Sequence, residues 1–337
     1  MKLGILDQSA VRNGASAAEA VAETIETAIL AEHLGYSRFW VSEHHNSSFI
    51  AGSAPEVLMV RLADSTRHIR VGSGGIMLPN HSAFKVAENF RMLEVLFPGR
   101  IDLGMGRAPG GDRVSSMLLN PSNDFLEESY ITQLEHLQHF FKDTAGTKHG
   151  PIRAVPMAKT IPEQWILSSS GGSSLIAARF GLGLVLARFI NGAAGSQITD
   201  TYRKNFQAAG GLAFSEPKVI VASFVLCADT EPEALAMRNH LDFVLLQFSK
   251  GNYENFPDAA TVAKYRFSAL DFEQLKAHHG RVISGTQDDV ADKLRSLSEE
   301  FQADELLITT MGTTKENRKR SFELVAESFS LSSQLLV

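Results

Sequence analysis

The stretch Arg38-Phe39-Trp40-Val41-Ser42-Glu43-His44-His45-Asn46 changes character in its middle. The first residues have the apolar composition of a buried strand, and a carboxylate, two imidazoles and an amide follow at once. This order is typical of a barrel strand that leaves the core and enters the rim, where active sites lie. A polar surface turn would have the same composition, but other strands of this chain end in the same way.

Eight short apolar segments alternate with segments of helical periodicity along the 337 residues. The predicted strands are Leu3 to Leu6, Phe39 to Ser42, Arg70 to Pro79, Ile101 to Arg107, Gln164 to Leu167, Gly183 to Ala187, Lys218 to Cys227 and Glu305 to Thr310. This alternation predicts an α/β fold, a (β/α)₈ TIM barrel formed by residues 1–337 as a single domain. An open doubly wound sheet is the rival, but Pro109 stands where the dinucleotide fingerprint needs its third small residue.

Residues 249–284 interrupt the alternation because they are mixed, aromatic-bearing and poorly periodic. We predict an insertion here, after the seventh strand and its helix and near the active-site face. A segment in that position is a candidate lid over the substrate, since a reactive intermediate must be kept dry.

The composition argues against several classes of protein. A net charge of −6 is the opposite of the basic stripe of a nucleic-acid-binding protein. The single cysteine, Cys227, excludes an internal disulfide framework and suits a reducing compartment. No apolar window approaches the roughly 20 residues of a membrane helix. The amino terminus resembles a strand and not a signal peptide. We therefore expect a cytoplasmic protein that binds neither nucleic acid nor membrane.

The run Ser168-Ser169-Ser170-Gly171-Gly172-Ser173-Ser174 leads from the fifth strand into a helix. Backbone amides at a helix start lack internal partners and bind anions, and hydroxyls and glycines let the backbone close around phosphate oxygens. Arg107, at the end of the preceding strand, would offer a forked donor to the same group. A well-capped helix entry beside an unrelated surface arginine is the alternative.

His44 is the predicted proton-transfer residue, because imidazole titrates near neutral pH and one rim position should face the barrel mouth while its neighbours face away. Metal ligation by His44 and His45 is the alternative, but no third ligand completes a known spacing, and we expect no metal. His81 is a weaker candidate for proton transfer. The pair Gly74-Gly75 either lets a flat ring lie against the backbone or marks a bulge.

Three segments together resemble the bacterial luciferase-like flavin monooxygenase family, in its single-subunit branch. They are Phe39 to Asn46, Val71-Gly72-Ser73-Gly74-Gly75-Ile76-Met77-Leu78-Pro79, and Pro98-Gly99-Arg100-Ile101-Asp102-Leu103-Gly104-Met105-Gly106-Arg107-Ala108-Pro109-Gly110. The resemblance implies a (β/α)₈ barrel that binds FMN at its carboxyl-terminal rim. It places the flavin ring near Gly74 and Gly75, where relatives have a cis peptide that does not precede proline. It assigns the phosphate to Arg107, Ser169, Ser170, Gly171 and Ser173, and acid–base work to His44.

The same resemblance implies a reaction in which reduced FMN and O₂ form a flavin C4a-peroxide that oxidises a small organic substrate. Because no nicotinamide motif is evident, we expect a separate NAD(P)H:flavin reductase to deliver the reduced flavin. A homodimer is expected from the family. Two alternatives stay open: an F420-dependent hydride-transfer enzyme of the same fold, and a flavin-binding protein that does not turn over.

Overall fold

The computed structural model describes residues 1–122, 125–208, 214–251, 256–276 and 278–332. Its strands are β1 (Lys2–Asp7), β2 (Arg38–Val41), β3 (Arg70–Met77), β4 (Ile101–Gly106), β5 (Gly146–Thr147), β6 (Gly150–Pro151), β7 (Glu163–Ser168), β8 (Gly183–Ala187), β9 (Val219–Cys227), β10 (Val282–Gly285) and β11 (Glu305–Thr309). Its α-helices are α1 (Ala17–Leu34), α2 (Pro55–Ser65), α3 (Ala83–Leu96), α4 (Arg113–Leu119), α5 (Glu127–Phe141), α6 (Ser174–Phe180), α7 (Gln197–Asn205), α8 (Glu231–Ser249), α9 (Ala259–Lys264), α10 (Ala269–Lys276), α11 (Gln287–Phe301) and α12 (Lys315–Ser328).

Eight parallel strands form a closed ring in the order β1-β2-β3-β4-β7-β8-β9-β11. The ring closes because β11 pairs with β1 and β9 pairs with both β8 and β11. The predicted (β/α)₈ barrel is therefore confirmed, and the open sheet is excluded. The third strand is shorter than predicted: it ends at Met77, and a 3₁₀ turn follows at Leu78–Asn80.

Two tryptophans fill the inside of the barrel. Trp40 and Trp165 are buried with their rings edge to face, 6.0 Å apart between centroids. A Cβ atom at Gly72 would collide with the Trp40 indole, and one at Gly183 would collide with the Trp165 indole. Glycine at these inward positions therefore makes room for the large rings, as small residues opposite large ones do in a packed core.

A network of buried charges lies at the amino-terminal ends of the strands. Arg38 donates from Nε to Glu305 (2.9 Å) and from a terminal nitrogen to Asp102 (2.8 Å). Asp102 also accepts from Arg70 and from the indole nitrogen of Trp40 (2.8 Å). Since these residues stand on four strands of the ring, the network ties the floor of the barrel together.

The segment predicted as an insertion, residues 249–284, contains helices α9 and α10 and most of strand β10. Helix α11 packs against β9, β10, β11 and α12. Helix α8 also packs on β9 and β10, as well as on α9 and α10, and the centroid of its Phe248 ring lies 4.7 Å from that of Phe49 in the loop after β2. Strand β10 pairs with β9, so the chain returns to the barrel ring at the end of this segment. Within this segment, residues 252–255 and 277 lie outside the described part of the chain.

None of the helices in the described ranges is both long and apolar enough to cross a lipid bilayer. Cys227 is buried in the core between strands and helices, where burial raises the pKa of its thiol to about 12. Cys227 therefore acts as a small core residue.

Candidate active site

Glu43 organises the rim at the end of β2. Its side chain is fully buried, and it accepts hydrogen bonds from the imidazole of His45 (2.8 Å), the imidazole of His81 (2.9 Å) and the backbone N–H of Met77 (2.9 Å). Burial raises the pKa of the Glu43 carboxyl, but these donors outweigh it and the pKa is lowered. Burial likewise lowers the pKa of His81, and Glu43 reverses the effect so that this pKa is raised. The contact between Glu43 and His81 thus joins the loops after β2 and β3.

The structure gives Glu43 a role that the sequence reasoning missed. From the sequence, His81 is only a weaker candidate for proton transfer, and no pattern indicates that it contacts Glu43. A buried carboxylate needs partners, and two imidazoles occur within reach of the same rim. The sequence signal for the role of Glu43 is that a charged residue directly follows an apolar strand. Its partner His81, however, is 38 residues away in the sequence.

The His44 ring differs from its neighbours in having no hydrogen bond to any described residue. Its Nδ1 atom is buried without a partner, and its backbone N–H donates to the carbonyl of Gly52 (2.8 Å). Burial lowers the pKa of His44 to about 4, against a smaller opposing effect of Glu43. The ring is therefore neutral at physiological pH, with one nitrogen that can donate and one that can accept. A free neutral imidazole at a strand exit can exchange protons with a bound molecule.

The loops after β2, β3 and β4 are joined to one another. The backbone N–H of His45 donates to Gly110 (2.8 Å), and the side-chain amide of Asn46 donates to Asp112 (2.7 Å). The side-chain amide of Asn80 donates to the carbonyl of Pro109 (2.8 Å). These amide donors are therefore occupied within the protein, and the three loops form a single rim segment beside His44.

Gly74 and Gly75 are joined by a cis peptide bond, and the pairing of β3 with β4 shifts by one residue at this point. A Cβ atom at Gly74 would lie 2.7 Å from a methyl carbon of Leu6, and one at Gly75 would lie 2.7 Å from the carbonyl oxygen of Gly104. The backbone contact thus requires glycine at Gly75, whereas the nearest atom at Gly74 belongs to the end of a movable side chain. The bulge interpretation therefore accounts for the pair without a ligand, and the placement of a flavin ring beside it stays a prediction.

The serine-glycine loop follows β7, which is the neighbour of β4 in the ring. The pairing of Met105 with Ile166 places the ends of these two strands side by side, so Arg107 and Ser168 leave the barrel at the same level. In this loop, no described residue accepts from the backbone N–H groups of Ser170, Gly172 and Ser173. The hydroxyls of Ser169, Ser170 and Ser173 likewise make no hydrogen bond with the described chain.

Other contacts fix the shape of this loop. The backbone N–H of Gly171 donates to the hydroxyl of Ser168 (3.1 Å), and Gly171 has a φ of 84°, a conformation that favours glycine. The side-chain amide of Asn191 donates to the carbonyl of Ser169 (3.0 Å). The loop is thus held in place while several of its donors stay unused. Helix α6 has only seven residues, so the loop itself provides most of these donors.

The chain matches the family model described as luciferase-like monooxygenase over residues 1–305. It therefore belongs to the luciferase-like monooxygenases, which confirms both the resemblance and the enzyme class, a flavin-dependent monooxygenase. Protein YwcH of Bacillus subtilis (strain 168) is 43% identical, covering 98% of this chain and 99% of that protein. The N-acetyl-S-alkylcysteine monooxygenase of the same organism is 36% identical, covering 97% of this chain and 98% of that enzyme.

Solved structures share the fold over nearly the whole chain. That of apo-MsnO8 superimposes with a TM-score of 0.90 at 34% identity, covering 98% of this chain and 99% of that one. The oxygenating constituent of 3,6-diketocamphane monooxygenase from Pseudomonas putida, solved with FMN, has a TM-score of 0.70 at 18% identity and covers 97% of each chain. An F420-dependent secondary alcohol dehydrogenase has a TM-score of 0.69 at 11% identity, covering 97% and 98%. The last two show likeness of fold.

The lowered pKa of His44 predicts a specific loss of stability in acid. Between the folded-state pKa of about 4 and the ordinary value of about 6.5, the unfolded chain binds more protons at this residue. Stability is therefore lost as the pH falls through that window, by about 2 kcal/mol at pH 4.5. Urea unfolding at pH 7 and pH 4.5 should show that His44→Gln loses about this much less than the wild type. An equal loss in both proteins would contradict the assigned pKa.

Proposed function

We propose that this protein is an FMN-dependent monooxygenase that uses reduced flavin and O₂ to oxidise a small organic substrate. The observation that carries the proposal is that Arg107 and the serine-glycine loop, with its unused donors, follow adjoining strands of the ring at the same level. A cation and free N–H and O–H groups are the chemistry that a phosphate monoester requires. Reduced FMN would supply the electrons for oxygen activation, and the protein would supply binding, orientation and exclusion of water.

In this proposal Arg107, Ser169, Ser170, Gly171 and Ser173 hold the phosphate. Arg107 contributes charge, while the loop contributes hydroxyl and backbone donors. The seven-residue run from Ser168 to Ser174 contains no cationic side chain, so the arginine from the neighbouring strand is the charged member of the set.

His44 is the proposed proton-transfer residue, and Gly74 and Gly75 would lie under the flavin ring. A neutral imidazole accepts a proton without first losing one, and its unpartnered Nδ1 leaves a polar atom for a bound molecule. The joined loops after β2, β3 and β4 would hold this imidazole at a constant position. An imidazole that is already in position before the substrate binds favours proton transfer, because no further ordering of the ring is needed.

The roles of Arg107 and His44 are separable by substitution. Arg107→Ala should weaken FMN binding at least about tenfold, since a charge-assisted hydrogen bond is lost, and should leave riboflavin binding unchanged. His44→Ala should keep FMN affinity and lower product formation about 100-fold or more. Flavin fluorescence titration gives the affinities. Turnover is measured by supplying photoreduced FMN, O₂ and an N-acetyl-S-alkylcysteine, a substrate class taken from the name of the 36%-identical relative.

The matched control is Arg61→Ala, which removes an exposed arginine of α2 that pairs only at the surface with Asp64. Tight binding of F420 and not FMN would replace the proposal by hydride transfer, the reaction type that the dehydrogenase of the same fold suggests. Unchanged turnover in His44→Ala would remove the acid–base role. FMN binding without turnover of any substrate tried would favour a flavin-binding protein.

The segment 249–284 is proposed to close over the bound substrate. It is tied to the sheet at its end by β10, and Arg12 in the loop after β1 forms an isolated bridge with Phe256. Limited proteolysis should cut this segment more slowly when FMN is present, because closure buries its backbone. Arg67, in the loop between α2 and β3, provides an internal reference site on the far side of the fold. Cleavage rates that are the same with and without FMN would contradict the proposal that this segment is a lid.

Two protein partners are proposed: a separate NAD(P)H:flavin reductase and a second copy of this chain. The adjacent helices α2 and α3 expose apolar side chains to solvent, among them Val57, Met92 and Leu96. Sedimentation should therefore give twice the 36.8 kDa chain mass. The double variant Met92→Glu and Val95→Glu should sediment as a folded monomer. A wild-type monomer at micromolar concentration would contradict the dimer.

A further inference from the structure

We propose that Glu127 competes with the flavin phosphate for Arg107 and so sets the affinity for phosphate-bearing flavin. This inference rests on the proposed function and adds to it a residue that controls cofactor specificity. Arg107 donates from a terminal nitrogen to the Glu127 carboxylate at 2.7 Å. The guanidinium that the phosphate needs is therefore already paired with an anion of the protein.

The surroundings of this pair indicate that Glu127 and phosphate compete for Arg107 and do not bind it together. A phosphate monoester carries nearly two negative charges at neutral pH, and a second anion on the same guanidinium would repel it. The Arg107 side chain is 33% exposed and that of Glu127 is 53% exposed, so each can turn to another partner at little cost. An exposed ion pair of this kind is also weak, which makes it replaceable.

The Glu127 carboxylate loses little stabilisation when Arg107 leaves it. It is the first residue of α5, a helix of 15 residues, where a carboxylate is stabilised by the partial positive charge of the helix amino terminus. Two turns further along, Glu135 makes another exposed ion pair, with Arg179 of α6 (2.9 Å), while Tyr130, Leu134 and Phe141 are buried in the core and hold the helix in place. The bond between Arg107 and Glu127 is thus not needed for the position of the helix.

The expected consequence is a moderate affinity that a diffusing cofactor can use. Each binding event would exchange the bond of Arg107 to Glu127 for one to phosphate, and each release would restore it. An enzyme that receives reduced flavin from a separate reductase needs the flavin to enter and leave, and this exchange offsets part of the phosphate contact.

The test compares FMN with riboflavin, which lacks the phosphate, in three proteins. Glu127→Gln should bind FMN about fivefold more tightly than the wild type at low ionic strength, with riboflavin affinity unchanged. The gain should shrink with added salt, because the interacting charges are exposed. Glu128→Gln is the matched control: it removes the same charge from the same exposed helix turn, yet no ion pair joins its side chain to the described residues.

Equal FMN affinities in Glu127→Gln and Glu128→Gln would overturn the inference, and so would a gain that is equally large for riboflavin. Either result leaves the proposed function standing, since FMN still binds. If none of the three proteins binds FMN, the proposed function fails and the inference fails with it. Unfolding by urea checks that Glu127→Gln and Glu128→Gln remain folded.

Discussion

The guanidinium of Arg38, inside the floor of the barrel, is the contact on which the rest of the structure depends. Burial alone would lower the pKa of this arginine, but Asp102 and Glu305 raise it above the ordinary value, so the charge is kept. A buried charge without partners costs several kcal/mol, and each partner here comes from a different strand. The strands must therefore stand at fixed heights relative to one another. The carboxyl-terminal ends of the same strands are therefore aligned as well, and every proposed site residue lies at that end.

The rim built on this floor has two sides of different character. On one side, Glu43 binds His45, His81 and the backbone of Met77, so the loops there have few free polar groups apart from the His44 ring. On the other side, the serine-glycine loop keeps unused donors and Arg107 keeps an exchangeable partner. The first arrangement is suited to holding a reacting group still, and the second to gripping and releasing an anion. Two imidazoles and a backbone amide donate hydrogen bonds to the buried Glu43 carboxylate. These bonds offset the free-energy cost of removing it from water.

The sequence was sufficient for the barrel because each of its strands is an apolar run bounded by polar or glycine-rich turns, and all eight were located. It was also sufficient to place Arg107 and the serine-glycine loop at neighbouring strand exits, since consecutive strands of such a barrel are adjacent. The sequence also located the helix after the seventh strand, because its capping residues and apolar periodicity match α8 (Glu231–Ser249). It failed for Glu43 and for Glu127, whose partners are distant in sequence and depend on side-chain directions that no periodicity encodes.

The pairing of β10 with β9 has a consequence for how this enzyme can diversify. Because β8 and β10 occupy successive lengths of the same edge of β9, the chain that leaves the ring at the end of β9 comes back to it at β10 through strand hydrogen bonds. The chain between these two anchors can lengthen, shorten or change composition without altering the register of any barrel strand. This segment can therefore be exchanged as a unit, while the loops after β2, β3, β4 and β7 keep their positions.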